Sequence, residues 1–339
     1  MSVKYSCIVC AASLLLISCA QEQGPEAQAP QATPASAAPT PAAQPKPAAQ
    51  PSAPAMPASI VAERGGFIPE GVEYDQANRR FLTGSLAEGS IFHINSDGRL
   101  TALVSDPALV SSVGIEVDEP RDRILVANSD SSVFQGRTQG LAQLGIYSLT
   151  TGARLAMVDL AATIQRPGDD AVFFANDVTV AQDGTVFVTD TRMNVVYQVD
   201  TDYRASVLHR FESTEGIALN GLVHHPDGYL LVASLGNGSI YKVPVDDPAA
   251  TSQVTLAEPV AGADGVVWTA DGRLAVVSNS DNRVVALRSS DDWSSAQIAG
   301  VATYDGQATT AAAVGDDIYV VKPHFADQDP PSIERVTFQ

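Results

Sequence analysis

Short runs of alternating apolar residues return at a period near 44, and few architectures can carry such a repeat. The periods open at Glu70-Gly71-Val72, Val113-Gly114-Ile115, Asn176-Asp177-Val178, Asn220-Gly221-Leu222 and Asp264-Gly265-Val266, with Thr309-Thr310-Ala311 as a weaker sixth. Asn176, Asn220 and Asp264 follow one another at intervals of 44, and Glu70 and Val113 are 43 apart. An Asp-Gly turn recurs in the same phase at Asp183-Gly184, Asp227-Gly228 and Asp271-Gly272. The step of 63 from Val113 to Asn176 breaks the period. It predicts an insertion, for which the polar, glycine-containing stretch from Asn128 to Gly145 is the candidate. Such an insertion would overhang one end of the molecule and shape selectivity there.

Within a period the pattern is β throughout. In the third, Val178-Thr179-Val180, Thr185-Val186-Phe187-Val188, Val195-Val196-Tyr197-Gln198-Val199 and Ala205-Ser206-Val207-Leu208 are separated by turn or polar breaks. Four strands per period, six times over, predict an all-β fold, a six-bladed β-propeller with four antiparallel strands per blade. Two sandwiches would not share the period, and solenoid coils are usually shorter. The last period offers only three strands, whereas Ile60-Val61-Ala62-Glu63 precedes the first with no partner. The last blade is therefore predicted to be closed by this N-terminal strand, leaving no unpaired seam.

Charge and cysteine usage exclude several functions. With 39 acidic against 20 basic residues and a net charge of −19, the chain lacks the basic face that nucleic-acid binding requires. Cys7, Cys10 and Cys19 all precede the repeats, so the repeating region has no disulfide, thiolate metal site or cysteine nucleophile. Lys4 and the apolar run 8–17 form an export signal too short to span a bilayer. Its end, Leu16-Ile17-Ser18-Cys19, resembles a bacterial lipoprotein signal, which implies cleavage before Cys19 and its lipidation. Ala20 after the cysteine implies, by the same resemblance, delivery to the outer membrane facing the periplasm. The chain then runs through a Pro/Ala/Gln-rich segment that cannot bury enough surface to order itself. Fully extended, this spacer would reach on the order of 100 Å. The expected division is 1–18 signal peptide, 19–58 lipidated linker and 59–339 propeller.

The register of the repeat locates a site. The first strand of each propeller blade lines the central channel, so Glu70, Val113, Asn176, Asn220, Asp264 and Thr309 should form a ring. Asn and Asp before a strand often bond only their own backbone. Four acceptors in one phase, none replaced by Ser or Thr, point further. Two carboxylates in a desolvated channel repel, and one takes up a proton unless a cation sits between them. Oxygen donors without His or Cys suit one divalent cation, foremost Ca²⁺, with Mg²⁺, Mn²⁺ or Zn²⁺ as alternatives.

The arrangement resembles the family of senescence marker protein (regucalcin), gluconolactonase and luciferin-regenerating enzyme, which are six-bladed propellers related to paraoxonase. The likeness rests on Pro69-Glu70-Gly71, Asn176-Asp177 with Asp183-Gly184, Asn220-Gly221-Leu222 with Pro226-Asp227-Gly228, and Asp264-Gly265. It implies a divalent ion on Glu70, Asn220 and Asp264, with Asn176 close to the ion or the substrate. It also implies hydrolysis of a lactone or related ester, with Asp264 as base and Asn176 orienting the substrate. Gly71 stands where paraoxonase carries a second carboxylate, so the resemblance implies no second ion. The histidine pair of paraoxonase has no counterpart, since His224-His225 lies along a strand and His324 on a loop. Gly236-Asn237-Gly238 reads as a hairpin turn. The competing expectations are a lipid-anchored propeller that binds a partner without turnover, and a metal-free propeller of the strictosidine-synthase kind.

Overall fold

The computed structural model describes residues 56–165, 171–211, 216–327 and 329–339. The expected signal peptide, lipidated Cys19 and most of the linker lie outside the described residues. Six four-stranded antiparallel sheets follow in chain order as blades 1 to 6, and the innermost strands are Val72–Asp75, Ser111–Asp118, Phe173–Val180, Leu219–His225, Ala263–Trp268 and Ala311–Val314. Among the described residues no helix is long and apolar enough to cross a membrane. The strands of blade 3 (Phe173–Val180, Val186–Asp190, Val195–Val199 and Ala205–Arg210) fall where the alternating runs placed them. The Asp-Gly turns join first to second strands, with Gly184, Gly228 and Gly272 at φ of 96°, 85° and 77°, a region that L side chains avoid.

Blade 6 closes as the strand count requires. Its outer strand is Ser59–Val61, paired antiparallel with Ser332–Val336 through Ser59↔Glu334, Ile60↔Ile333 and Val61↔Ser332. Pairing extends beyond the strand, where the N–H of Ala62 donates to the Pro331 carbonyl at 2.9 Å and that of Arg335 to Ala58 at 2.8 Å. Met56 already packs on the apolar cluster of blades 6 and 1, so ordered packing begins slightly ahead of residue 59.

The core lies between blades and not at the centre. Six apolar clusters each join one pair of neighbouring blades: Leu125, Leu144 and Tyr197 across blades 2 and 3, for example, and Leu231, Val276 and Trp293 across blades 4 and 5. Sheets covered on both faces in this way explain why second strands such as Arg123–Ser129 and Tyr229–Ser234 are buried along their whole length.

The extra length between blades 2 and 3 is divided. Residues 130–142, with a short helical turn at Ser131–Gln135, join the second and third strands of blade 2. A second long connection, 160–172, of which 160–165 and 171–172 are described, follows between the last strand of blade 2 and the first of blade 3. The stretch 128–145 thus holds only part of the added length, which is spread over two connections. Within it Gly140–Leu141 adds a short parallel pairing to the inner strand of blade 3.

Ile60 is 2% exposed and Val61 55% exposed on the closing strand. Ile60→Ala should therefore cost about 2–4 kcal/mol in urea unfolding, while Val61→Ala should stay within about 0.5 kcal/mol of the parent. Equal effects would mean that this strand does not hold the ring.

Candidate functional site

The inner strands bulge where they approach the axis. Pairing with the second strand shifts between Ser112 and Ile115, Ala175 and Val178, Leu219 and Leu222, and Ala263 and Val266. These bulges contain the residue pairs that open the sequence periods. A bulge leaves carbonyls without ladder partners, and neighbouring hydroxyls take them up. Ser129 Oγ donates to Ala175 O at 2.6 Å, Thr191 Oγ1 to Leu219 O at 2.6 Å, Thr189 Oγ1 to Asn220 O at 2.7 Å and Thr309 Oγ1 to Glu70 O at 2.6 Å. The backbone of the ring is satisfied from neighbouring blades, and its side chains are free to face the axis.

Two cavities share that axis. A channel of about 460 Å³ runs toward the turns between first and second strands, and a cup of about 640 Å³ opens on the opposite side. Loops between second and third strands of all six blades line the cup, through Leu86, Phe134, Thr191, Leu235, Asn279 and Phe325 among others. The residues that border both cavities are Glu70, Asn176, Asn220 and Asp264. All four oxygen donors of the sequence ring therefore meet at one neck. Val113 faces the cup as an apolar member, and the hydroxyl of Thr309 is spent on Glu70 O.

None of the four caps its own strand. Asp264 Oδ2 accepts from Asn279 Nδ2 at 2.9 Å, and the Asn220 amide bonds to the same carboxylate. Asn176 Nδ2 donates to Thr191 Oγ1 at 2.9 Å. Asn176, Asn220 and Asp264 are 5–6% exposed. Among the described residues no Lys, Arg or His lines the cup. Desolvation, followed by the negative charge of Asp264 and Asp177, holds the Glu70 carboxyl well above its usual range. Asp264 is raised well above its own, chiefly by burial and against the hydrogen bond from Asn279.

Three further carboxylates on the inner strands, Glu73, Glu116 and Asp177, line the channel below the neck, with Glu119 in the turn beyond, and sequence reasoning missed them. Glu73 and Glu116 stand on the inner strands of blades 1 and 2 between apolar neighbours, where an alternating strand must turn them from the core into the channel. That interruption of an apolar alternation was the available signal. Asp177 stands where four other blades carry glycine; its Oδ2 accepts from the N–H of Leu222 at 3.1 Å and its Oδ1 from that of Val178 at 2.9 Å. Burial is the largest cause in each case. It pushes Glu73 and Asp177 to about 7 and Glu116 well above its range.

The histidines lie apart from the neck. His224 lines the lower channel and stacks on Phe187, with ring centroids 6.0 Å apart. His225 stacks on Tyr229 at 4.4 Å. His324 packs its Nδ1 3.2 Å from Asp327 Oδ1 on an outer loop, and with Asp329 brings ligand atoms within 4.8 Å of one another. Gly236-Asn237-Gly238 forms the turn between the second and third strands of blade 4.

No protein-family model and no curated protein matches the chain. Solved structures do. The major allergen Mala s 1 of Malassezia sympodialis superposes with a TM-score of 0.69 at 16% identity, covering 84% of this chain and 97% of that one. A gluconolactonase from Xanthomonas campestris gives 0.56 at 15% identity over 86% and 99%. A luciferin-regenerating enzyme gives 0.58 at 13% over 82% and 94%. The chain thus shares the six-bladed fold of the gluconolactonase and luciferin-regenerating propellers that its repeat motifs resemble.

Without a cation the folded protein keeps protons on the channel carboxyls that the unfolded chain releases above about pH 4.5. That stability is complete below this value, falls as pH rises toward about 7, and is gone beyond it. His93 and His224, held below 6.5 mainly by burial, act in the opposite direction, so the variant comparison decides. In chelator-treated protein, Glu73→Gln should flatten the fall in Tm between about pH 5 and pH 8 by several degrees. Parallel curves would refute the assignment.

Proposed function

We propose that this protein is a divalent-metal-dependent hydrolase of a lactone or related ester, with Glu70, Asn220 and Asp264 holding one cation and Asn176 beside it. What supports this most is the neck: these four residues alone border both the cup and the channel. The donor set fits. Glu70 and Asp264 face one cavity whose described lining has no basic side chain, and desolvation together with neighbouring carboxylates raises both, a cost that a cation between them would offset. Four oxygens without nitrogen or sulfur suit Ca²⁺ best, ahead of Mg²⁺, Mn²⁺ or Zn²⁺.

A bound divalent cation supplies Lewis acidity toward a substrate carbonyl. The chain's own groups do the rest. Asp264, oriented by Asn279 and Asn220, accepts the proton of the attacking water and returns it to the departing alkoxide. Asn176, held by Thr191, offers its amide to the substrate. The product is the hydroxy acid, or the acid and alcohol of an open ester. Among the described residues no histidine lines the cup, and the cysteines precede the propeller, so no Ser-His or Cys-His set is placed there for an acyl-enzyme. The N-terminal region, in this reading, exports the chain and anchors it through lipid on Cys19 to the outer membrane, on the periplasmic side.

The test uses purified protein with Ca²⁺ and a panel of lactones and esters. Glu70→Gln should weaken calcium binding and hydrolysis by roughly 100-fold. Asp264→Asn should lower hydrolysis by about 10²- to 10⁴-fold, and chelation should abolish it reversibly. If both variants keep parental metal content and turnover, the reading is wrong.

A further inference from the structure

The cup divides sharply between floor and wall. Its floor is the four-donor neck. Its wall is predominantly apolar, with Ile68, Leu86, Phe134, Phe174, Leu235 and Phe325 set among fewer polar side chains such as Ser131 and Gln307. Phe134 is 59% and Phe325 41% exposed, and they are the exposed aromatic side chains among the described residues. Both stand on the rim of this one cavity, from different blades. Leaving two phenyl rings in water is unfavourable by the area they would otherwise bury, and such exposure marks a surface that receives a ligand. Phe134 does not hang free, because its ring meets Phe174 edge-on with centroids 4.8 Å apart. The turn that carries it is fixed by Asp130, whose Oδ1 accepts from the N–H of Ser132 at 2.9 Å and whose Oδ2 accepts from Thr138 Oγ1 at 3.0 Å.

Charge narrows the ligand further. Among the described residues the ionisable groups in the cup lining are Glu70 and Asp264, both acidic, and no basic group there receives a phosphate or a free carboxylate. A polyol ring would need free hydrogen-bonding partners up the wall, where most of the polar side chains already have protein partners: Thr191 with Asn176 and Leu219 O, Asn279 with Asp264, Ala308 O and Gln307, and Ser131 with Ser111. Removing its hydroxyls from water against such a wall is costly. The volume, about 640 Å³, lies within the roughly 300–1,000 Å³ typical of small-molecule pockets.

We infer that the cup takes an uncharged lactone or ester bearing an apolar chain or ring, and that Phe134 and Phe325 clamp that apolar part while the reacting carbonyl rests on the neck. The inference rests on the hydrolase reading for the word ester, but the apolar wall stands without it.

Two arms keep these apart. In the first, δ-decalactone and glucono-δ-lactone are compared as substrates with Ca²⁺ present; the tailed lactone should have the higher kcat/KM by at least about tenfold. In the second, calorimetry follows 2-heptylcyclopentanone, which cannot be hydrolysed, against cyclopentanone, which lacks the tail. The tailed ketone should bind with and without chelator, and the bare ring about tenfold or more weaker. Phe134→Ala and Phe325→Ala should each weaken the tailed ketone by about fivefold to thirtyfold. Leu155→Ala, at an exposed apolar site on the outer strand of blade 2, should leave its binding unchanged. Both phenylalanines are exposed enough for these variants to fold. Preference for gluconolactone, or binding of the tailed ketone that ignores both phenylalanines, overturns the inference. Tail-dependent binding without turnover of any lactone would overturn the hydrolase reading and leave the apolar cup standing.

Discussion

Six inner strands converge on one axis more closely than side chains permit, and the rest of the architecture answers that crowding. A methyl group at Gly221 would lie 2.5 Å from the carbonyl oxygen of Asp264, and one at Gly114 2.6 Å from Cα of Asp177. Such contacts are not tolerated, so the chain gives up its Cβ there and bulges. The bulge turns the preceding residue toward the axis and frees backbone carbonyls, which hydroxyls of adjacent blades then bond. Glycine, bulge and inward donor come together in blades 4 and 5, and blades 2 and 3 keep the bulge with one of the other two parts. The period of 44 is the trace of this arrangement in the sequence.

The same convergence creates the electrostatic problem at the centre. Glu70, Glu73, Glu116, Asp177 and Asp264 all line the channel, and burial is the first cause of every upward shift among them. Elsewhere the protein pairs buried acids with care. Asp118, 2% exposed, is bonded by Arg123 Nε at 2.9 Å and Arg121 Nη1 at 3.0 Å, and Asp75 is bonded by Arg80 at 2.8 Å. Asp190, 0% exposed, is held instead by the N–H groups of Phe174, Arg192 and Met193 and by the Tyr197 hydroxyl. Among the described residues no arginine lines the channel, and acids gathered there without a basic partner keep the axis for something positive or protonated.

The fold was legible because its determinants are local and periodic. Alternation gave the strands, Asp-Gly gave the turns, and counting strands gave the closure by Ser59–Val61. The neck followed from register alone, since rotation about an axis converts equal phase into proximity. What escaped is what does not repeat. Asp177 replaces a glycine in a single blade, and Glu73 and Glu116 occupy one position of the pattern in two blades only. The apolar rim is carried by loops of unrelated length, where neither period nor propensity says which way Phe134 or Phe325 points. The split insertion escaped for a related reason, because a break in a period measures total length and not where it is spent.

The missing donor of the ring can be understood together with the insertion. Polar neck residues come from blades 1, 3, 4 and 5, while blade 2 supplies Val113, and blade 6 a threonine already committed to Glu70. Blade 2 also carries the inserted turn that brings Phe134 onto Phe174. The valine of the ring and the aromatic overhang thus arise from the same blade and border the same cup, which Leu86 of blade 1 also lines. A symmetric ring of six donors would hold a cation on the axis with no preferred side. Replacing one donor by valine beneath an aromatic overhang removes that symmetry. On the proposed reading it assigns the apolar part of a substrate to blade 2 and leaves its carbonyl to the donors of blades 4 and 5.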